Sequence, residues 1–137
     1  MGIIHAHRYL LDQSMAASFV GPWIDCRMLS AKRLGFTASW TAVALTDGEF
    51  YVEGTDDPRA EIDKIRGTST AIGVKRTIPS GSFDGSEATA ADKGITPNAN
   101  AGNFQLNLTD VPAFVRLGYT RDAGGGAAQL QVMASGD

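Results

Sequence analysis

The chain has 137 residues, 43% of them hydrophobic and 20% charged, with a formal net charge of −3. That length and balance describe one globular domain, able to fold without a disulfide or a metal. No basic tract marks a nucleic-acid footprint, the lone Cys26 excludes an intrachain disulfide and a Cys-based zinc site, and no apolar run approaches the ~20 residues of a membrane span.

Residues 1–18 read as an N-terminal arm or edge strand, with a first strand over His5–Leu11. Its apolar pairs Ile3–Ile4 and Leu10–Leu11 are interrupted by His5, His7, Arg8, Asp12 and Gln13, which argues against a signal peptide. Residues 19–137 form the domain proper, and their dominant period is two. Ile24, Cys26 and Met28 alternate with polar neighbours, as do Leu34, Phe36, Ala38 and Trp40, and then Phe50 and Val52. Such alternation predicts half-buried strands. Asp47-Gly48 between the last two runs reads as a hairpin turn. Asp57–Ile65 carries a cap residue and a proline suited to the first turn of a helix, with Ile62 and Ile65 on one face; an ordered loop is the alternative. Ile72 and Val74 suggest a weaker strand.

Residues 79–102 break the pattern. They are rich in Gly, Ser, Ala, Asn and Asp, with Phe83 and Ile95 as the large apolar residues. A loop of that length is usually functional or disordered, and an excursion that becomes ordered against a neighbour is the expectation. Alternation resumes in Phe104–Leu108, Val115–Tyr119 and Ala128–Ala134, separated by Asp110-Val111-Pro112 and by the glycine-rich Asp122–Gly126. The fold expected is an all-β antiparallel sandwich of jelly-roll type with about eight strands.

Motifs for chemistry are scarce. The chain lacks a nucleophile elbow, a phosphate-binding loop and a zinc-protease helix signature. His5 and His7 share a strand face, but no acid cluster nearby completes a metal site. Asp56, Asp57 and Glu61 do not follow the calcium-loop spacing. Glu49 and Glu53 sit on a polar strand face, where solvation or salt bridges explain them better than glycoside hydrolysis. Cys26, in phase with Ile24, reads as a buried structural thiol. Trp40 and Tyr119 fall in phase with the core; Trp23 and Tyr51 fall out of phase and become candidates for an interface or a ligand platform. No enzyme activity, cofactor or metal is expected.

Asn103–Pro112, followed by Phe114–Arg121, a glycine turn and Ala128–Ala134, resembles a group of small virion proteins of tailed bacteriophages. Leu34–Thr41 and Gly48–Pro58 are similar to that group's central strand and the segment after it, with Gly54 where the group carries Ser or Asn. The resemblance implies a jelly-roll capsid decoration (cement) protein, made in the host cytoplasm and carried on the capsid surface. It implies the major capsid protein and further copies of the chain (a trimer, for instance) as partners, and neither nucleic acid nor membrane. A tail-associated receptor- or glycan-binding module is the alternative, and a small cell-wall hydrolase a more distant one. The interface candidates are His5, His7, Arg8, Trp23, Tyr51, Phe83, Ile95, Arg116 and Arg121. The two arginines lie on or next to a polar strand face, suited to hydrogen bonds across a subunit boundary.

Overall fold

The computed structural model describes residues 8–41, 48–79, 81–86, 88–97, 101–121 and 129–137, with residues 8–11 and 41 described by their backbone. In chain order the elements are β1 (Arg8–Ser14), β2 (Phe19–Val20), β3 (Ile24–Asp25), β4 (Leu34–Thr41), β5 (Glu49–Thr55), α1 (Arg59–Arg66), β6 (Val74–Lys75), β7 (Phe83–Asp84), β8 (Ala88–Ala90), β9 (Ile95–Pro97), β10 (Gly102–Leu108), β11 (Phe114–Thr120) and β12 (Gln129–Gly136). One sheet runs β1-β12-β4-β10-β7. The other runs β2-β11-β5-β9-β8, with β3 also on β11 and β6 also on β5. Every pairing is antiparallel.

β2 and β3 lie end to end along β11 and act as one strand interrupted at Gly21–Trp23. The principal orders are then β1-β12-β4-β10 and β2/β3-β11-β5-β9, the interleaving of an eight-position jelly roll. The number of principal positions matches the expected eight, but not every member does: β9, in the stretch read as a loop, takes one of them, and the strand expected at Ile72 and Val74 is the short β6, an addition like β7 and β8. The topology corrects one local reading. β4 pairs with β10 and β12, whereas β5 pairs with β11, so Asp47-Gly48 cannot close a hairpin between them. That segment carries the chain from one sheet to the other, and Asp47 lies outside the described residues, as does the Asp122–Gly126 turn.

The core lies between the sheets. Alternation in β4 turns Leu34, Phe36, Ala38 and Trp40 inward, each 3% exposed or less. Ala38 stands between Phe104 and Val132, so a small side chain alternates with large ones across the ladder. The opposite sheet contributes Phe50, Val52, Val115, Leu117 and Tyr119. Phe50 joins the two layers, with ring centroids 5.3 Å from Phe104, 6.0 Å from Trp40 and 5.0 Å from Tyr119. Gly54, also on the inner face, is small for a reason: a Cβ there would lie 2.7 Å from Cγ of Pro112.

Two further expectations change. The Ile24-Cys26-Met28 alternation stops at Cys26, where the chain turns; the Leu29 N–H reaches the Cys26 carbonyl (3.2 Å), Leu29 enters the core, and Met28 is 80% exposed. Residues 79–102 are not a plain excursion. β7 extends the first sheet at β10, and β9 with β8 extends the second at β5, so this stretch is ordered against its own sandwich where it is described.

Candidate interaction surface

The outer face of the β11–β5 sheet is not left to solvent. A cover, Asp57–Arg76, folds back over it as α1, a return loop and β6. Pro58 sets the N-terminal turn of α1, Asp57 Oδ1 accepts the Arg59 N–H (3.0 Å), and Gly67 ends the helix in the left-handed region at φ 68°. Asp63 ties the return loop to the helix. Its carboxylate accepts hydrogen bonds from Thr68 Oγ1 (2.7 Å), Thr70 Oγ1 (2.6 Å), the Thr70 N–H (2.8 Å) and the Ala71 N–H (2.7 Å). Asp57 takes the Ile72 N–H (3.1 Å), and the Arg76 N–H bonds the Val52 carbonyl (2.8 Å).

Burial acts to raise the Asp63 pKa, but the donations from Thr70, Thr68 and Ala71 outweigh it and hold the carboxyl below the usual carboxylate range. A folded pKa below the unfolded one adds stability that is complete above roughly pH 4 and fades as pH falls through the folded value. Asp63→Asn should therefore be less stable than the parent at neutral pH, with the gap narrowing on acidification below about pH 4. Urea unfolding of both chains across pH measures this; parallel curves would show that Asp63 does not anchor the cover.

Beneath the cover, a second apolar cluster of Trp23, Ala60, Ala71 and Phe114 seals helix to sheet. Beside it, Arg116 and Glu53 face each other in the ladder, joined by Nε to Oε1 at 2.7 Å, with side chains only 10% and 16% exposed. The Arg116 guanidinium stacks over Trp23 at 4.1 Å and donates Nη1 to Ser69 Oγ (3.2 Å). Tyr51 lies across Gly118, where a Cβ would fall 2.2 Å from its ring, and the Lys75 ammonium sits 4.6 Å from its centroid. Trp23 Nε1 is the one buried side-chain nitrogen or oxygen without a partner among the described residues, an arrangement that costs about 1–3 kcal/mol.

The predicted interface residues therefore separate. Trp23 (3% exposed), Tyr51 (8%) and Arg116 (8%) do come together on one sheet face, but under the cover and not at the surface. Period two gave their face correctly; it carries no information about a helix returning over that face. Ile95 is at 0% in the core, held opposite Phe50. Phe83 is half-buried against Phe104, with centroids 5.7 Å apart. Arg121 is half-buried; its N–H bonds Ser18 Oγ (2.7 Å) and its Nη1 the Met15 carbonyl (2.9 Å). His5, His7 and the Arg8 side chain lie outside the described residues.

What the cover turns outward was not foreseen. α1 buries Ala60 and Asp63, the reverse of the orientation that would hide its isoleucines. Ile62 is 49% exposed, Ile65 78%, Ile72 67% and Val74 64%. The i, i+3 spacing of Ile62 and Ile65 did place them on one face; the inward pull of Asp63, which needs the return loop, decided that the face points out. Within the cover Arg59, Lys64, Arg66, Lys75 and Arg76 outnumber Asp57, Glu61 and Asp63 by five to three, and Arg59 is paired with Asp57 (2.7 Å), so the cover carries a modest positive excess in a chain of net charge −3.

Elsewhere the geometry offers little chemistry. A groove of ≈ 860 Å³ between Lys32, Arg76, Asp56, Asp110 and Pro112 mixes both charge signs. Lys32 Nζ and the Arg76 guanidinium there bond main-chain carbonyls. Among the described residues, no three His, Cys, Asp or Glu side chains gather as a metal site would need. Burial, followed by the nearby Asp25 charge, pushes the Cys26 thiol up to about 11, which disfavours the nucleophilic thiolate. No protein-family model, curated protein or solved structure matches this chain.

Proposed function

We propose that the chain is a virion structural protein of a tailed bacteriophage, a capsid decoration subunit that binds the major capsid protein lattice and further copies of itself. A jelly roll serves many functions, so the fold alone does not choose among them. The observation that carries the reading is the outward set of Ile62, Ile65, Ile72 and Val74 on a basic cover. A helix that buries alanine and aspartate while exposing two isoleucines leaves apolar surface for a partner. The surrounding cations favour an acidic partner and speed its encounter. Modest contacts of this kind, repeated over a symmetric shell, sum to firm attachment through avidity. The glycan-binding alternative calls for exposed aromatic side chains in one groove. Among the described residues, the large exposed apolar side chains are aliphatic, and Trp23 and Tyr51 are covered.

Particles assembled without this protein provide the test. Heads should form but rupture on heating or at low salt, and added protein should restore them. Ile65→Asp, at a 78%-exposed position, should leave the fold intact and lower head binding at least about tenfold, a loss of ~1.4 kcal/mol per contact multiplied over many sites. Sturdy heads with lost adsorption to the host would overturn the decoration role in favour of receptor binding.

A further inference from the structure

A pocket of ≈ 340 Å³ opens between β2 and the strand interruption on one side and the end of α1 with its return loop on the other. Its lining includes Trp23, Asp63, Lys64, Thr68, Ser69 and Arg116. The volume is at the lower end of small-molecule sites. The distribution of donors and acceptors is uneven. Asp63 already accepts four hydrogen bonds, and Glu53 next to the pocket is engaged by Arg116 Nε. On the donor side, Arg116 uses Nε and Nη1, while Nη2 has no partner among the described residues. Arg116 is itself one of the residues that line the pocket. Lys64 forms no hydrogen bond or ion pair with the described residues. The sealed Trp23 indole N–H adds another donor without an acceptor.

Arg116 is also held still. It is 92% buried by its 8% exposure, clamped by Glu53 and Ser69 and stacked on Trp23. A fixed guanidinium with one nitrogen uncommitted, stacked on an aromatic ring, is pre-organised to donate to an oxyanion with little further loss of side-chain entropy. We propose that this pocket is a binding site for a small oxyanion-bearing ligand, a carboxylate or a phosphate, held by Arg116 Nη2 and Lys64 Nζ. The site shares Lys64 with the basic cover but takes none of the outward isoleucines, and its occupancy does not depend on the decoration role.

The test is a titration of the whole chain followed by NMR, reading the Trp23 indole N–H and the Ser69 amide. Malonate and inorganic phosphate serve as separate probes. At least one should shift both signals saturably, in the millimolar range or tighter. A response to malonate alone assigns a carboxylate ligand, and a response to phosphate alone assigns a phosphoryl one. Lys64→Gln, on the exposed side of α1, should weaken binding about tenfold through loss of one charge-assisted hydrogen bond, with the fold unchanged. Arg116→Lys should weaken it further, because an ammonium has no planar group that can stack on Trp23 and bond Glu53 and Ser69 while a further nitrogen serves the ligand. No saturable shift with either probe, or equal affinity in the Lys64→Gln chain, would overturn the proposal.

Discussion

Glu53→Ala should destabilise the domain by about 3–5 kcal/mol, the usual cost of leaving a buried charge without its counter-ion. The pair it breaks is well enclosed: Arg116 and Glu53 are 10% and 16% exposed at the side chain and lie opposite each other in the ladder. Without Glu53, Arg116 keeps its stack on Trp23 and its bond to Ser69, neither of which neutralises it. The double variant Glu53→Leu/Arg116→Met should recover much of the loss, since apolar pairs of similar volume commonly replace buried ion pairs at little cost. Guanidinium unfolding of the parent, both single variants and the double variant measures the coupling. A Glu53→Ala penalty under ~1 kcal/mol, typical of an exposed pair, would mean that the cover does not close over this face in solution.

Phe50→Ala is expected to cost about 3–5 kcal/mol, the range for removing a large aromatic from a packed core. Phe50 is at 0% exposure and touches Trp40, Phe104 and Tyr119, so it joins rings from both sheets. Those neighbours lie in hydrogen-bonded strands of both sheets, where surroundings relax only in part, so a cavity term adds to the lost transfer energy. Set against a typical domain stability of 5–15 kcal/mol, the change removes a large share of the total. Phe83→Ala offers a control, because Phe83 is half-buried on the short β7 at the edge of its sheet, beside Leu106 and with its ring against Phe104. It should lose less than half as much. Equal losses at both positions would contradict the central place given to Phe50.

The two-sheet core was readable because the sequence signal and the physical cause coincide. Leu34, Phe36, Ala38 and Trp40, or Phe104, Leu106 and Leu108, alternate because one strand face meets the opposite sheet. The sheet assignment was less accessible. Asp47-Gly48 has the composition of a hairpin turn, yet jelly-roll topology sends the flanking strands to different sheets. That choice depends on long-range pairing of β4 with β12 and of β5 with β11, which no local turn records. In 79–102 the strands are two or three residues long, too short for alternation to show.

The candidate surface was legible in part. Trp23, Tyr51 and Arg116 were assigned to the face away from the core, and they do share it. Their concealment depends on Asp63, whose bonds to Thr68, Thr70 and Ala71 reach five to eight positions along the chain. A buried aspartate inside a short helix has no period of its own in the sequence. It also reverses the ordinary expectation for Ile62 and Ile65, which an amphipathic reading would bury.

Hydrogen exchange on the purified protein, free and bound to heads that lack it, tests the docking surface most directly. Backbone amides in 59–76 should gain protection on binding, with the greatest slowing around Ile65 and Ile72, while the β4 and β10 amides change little. Binding that protects some other edge of the sandwich and leaves 59–76 as in the free chain would contradict the assignment of the outward isoleucines as the contact.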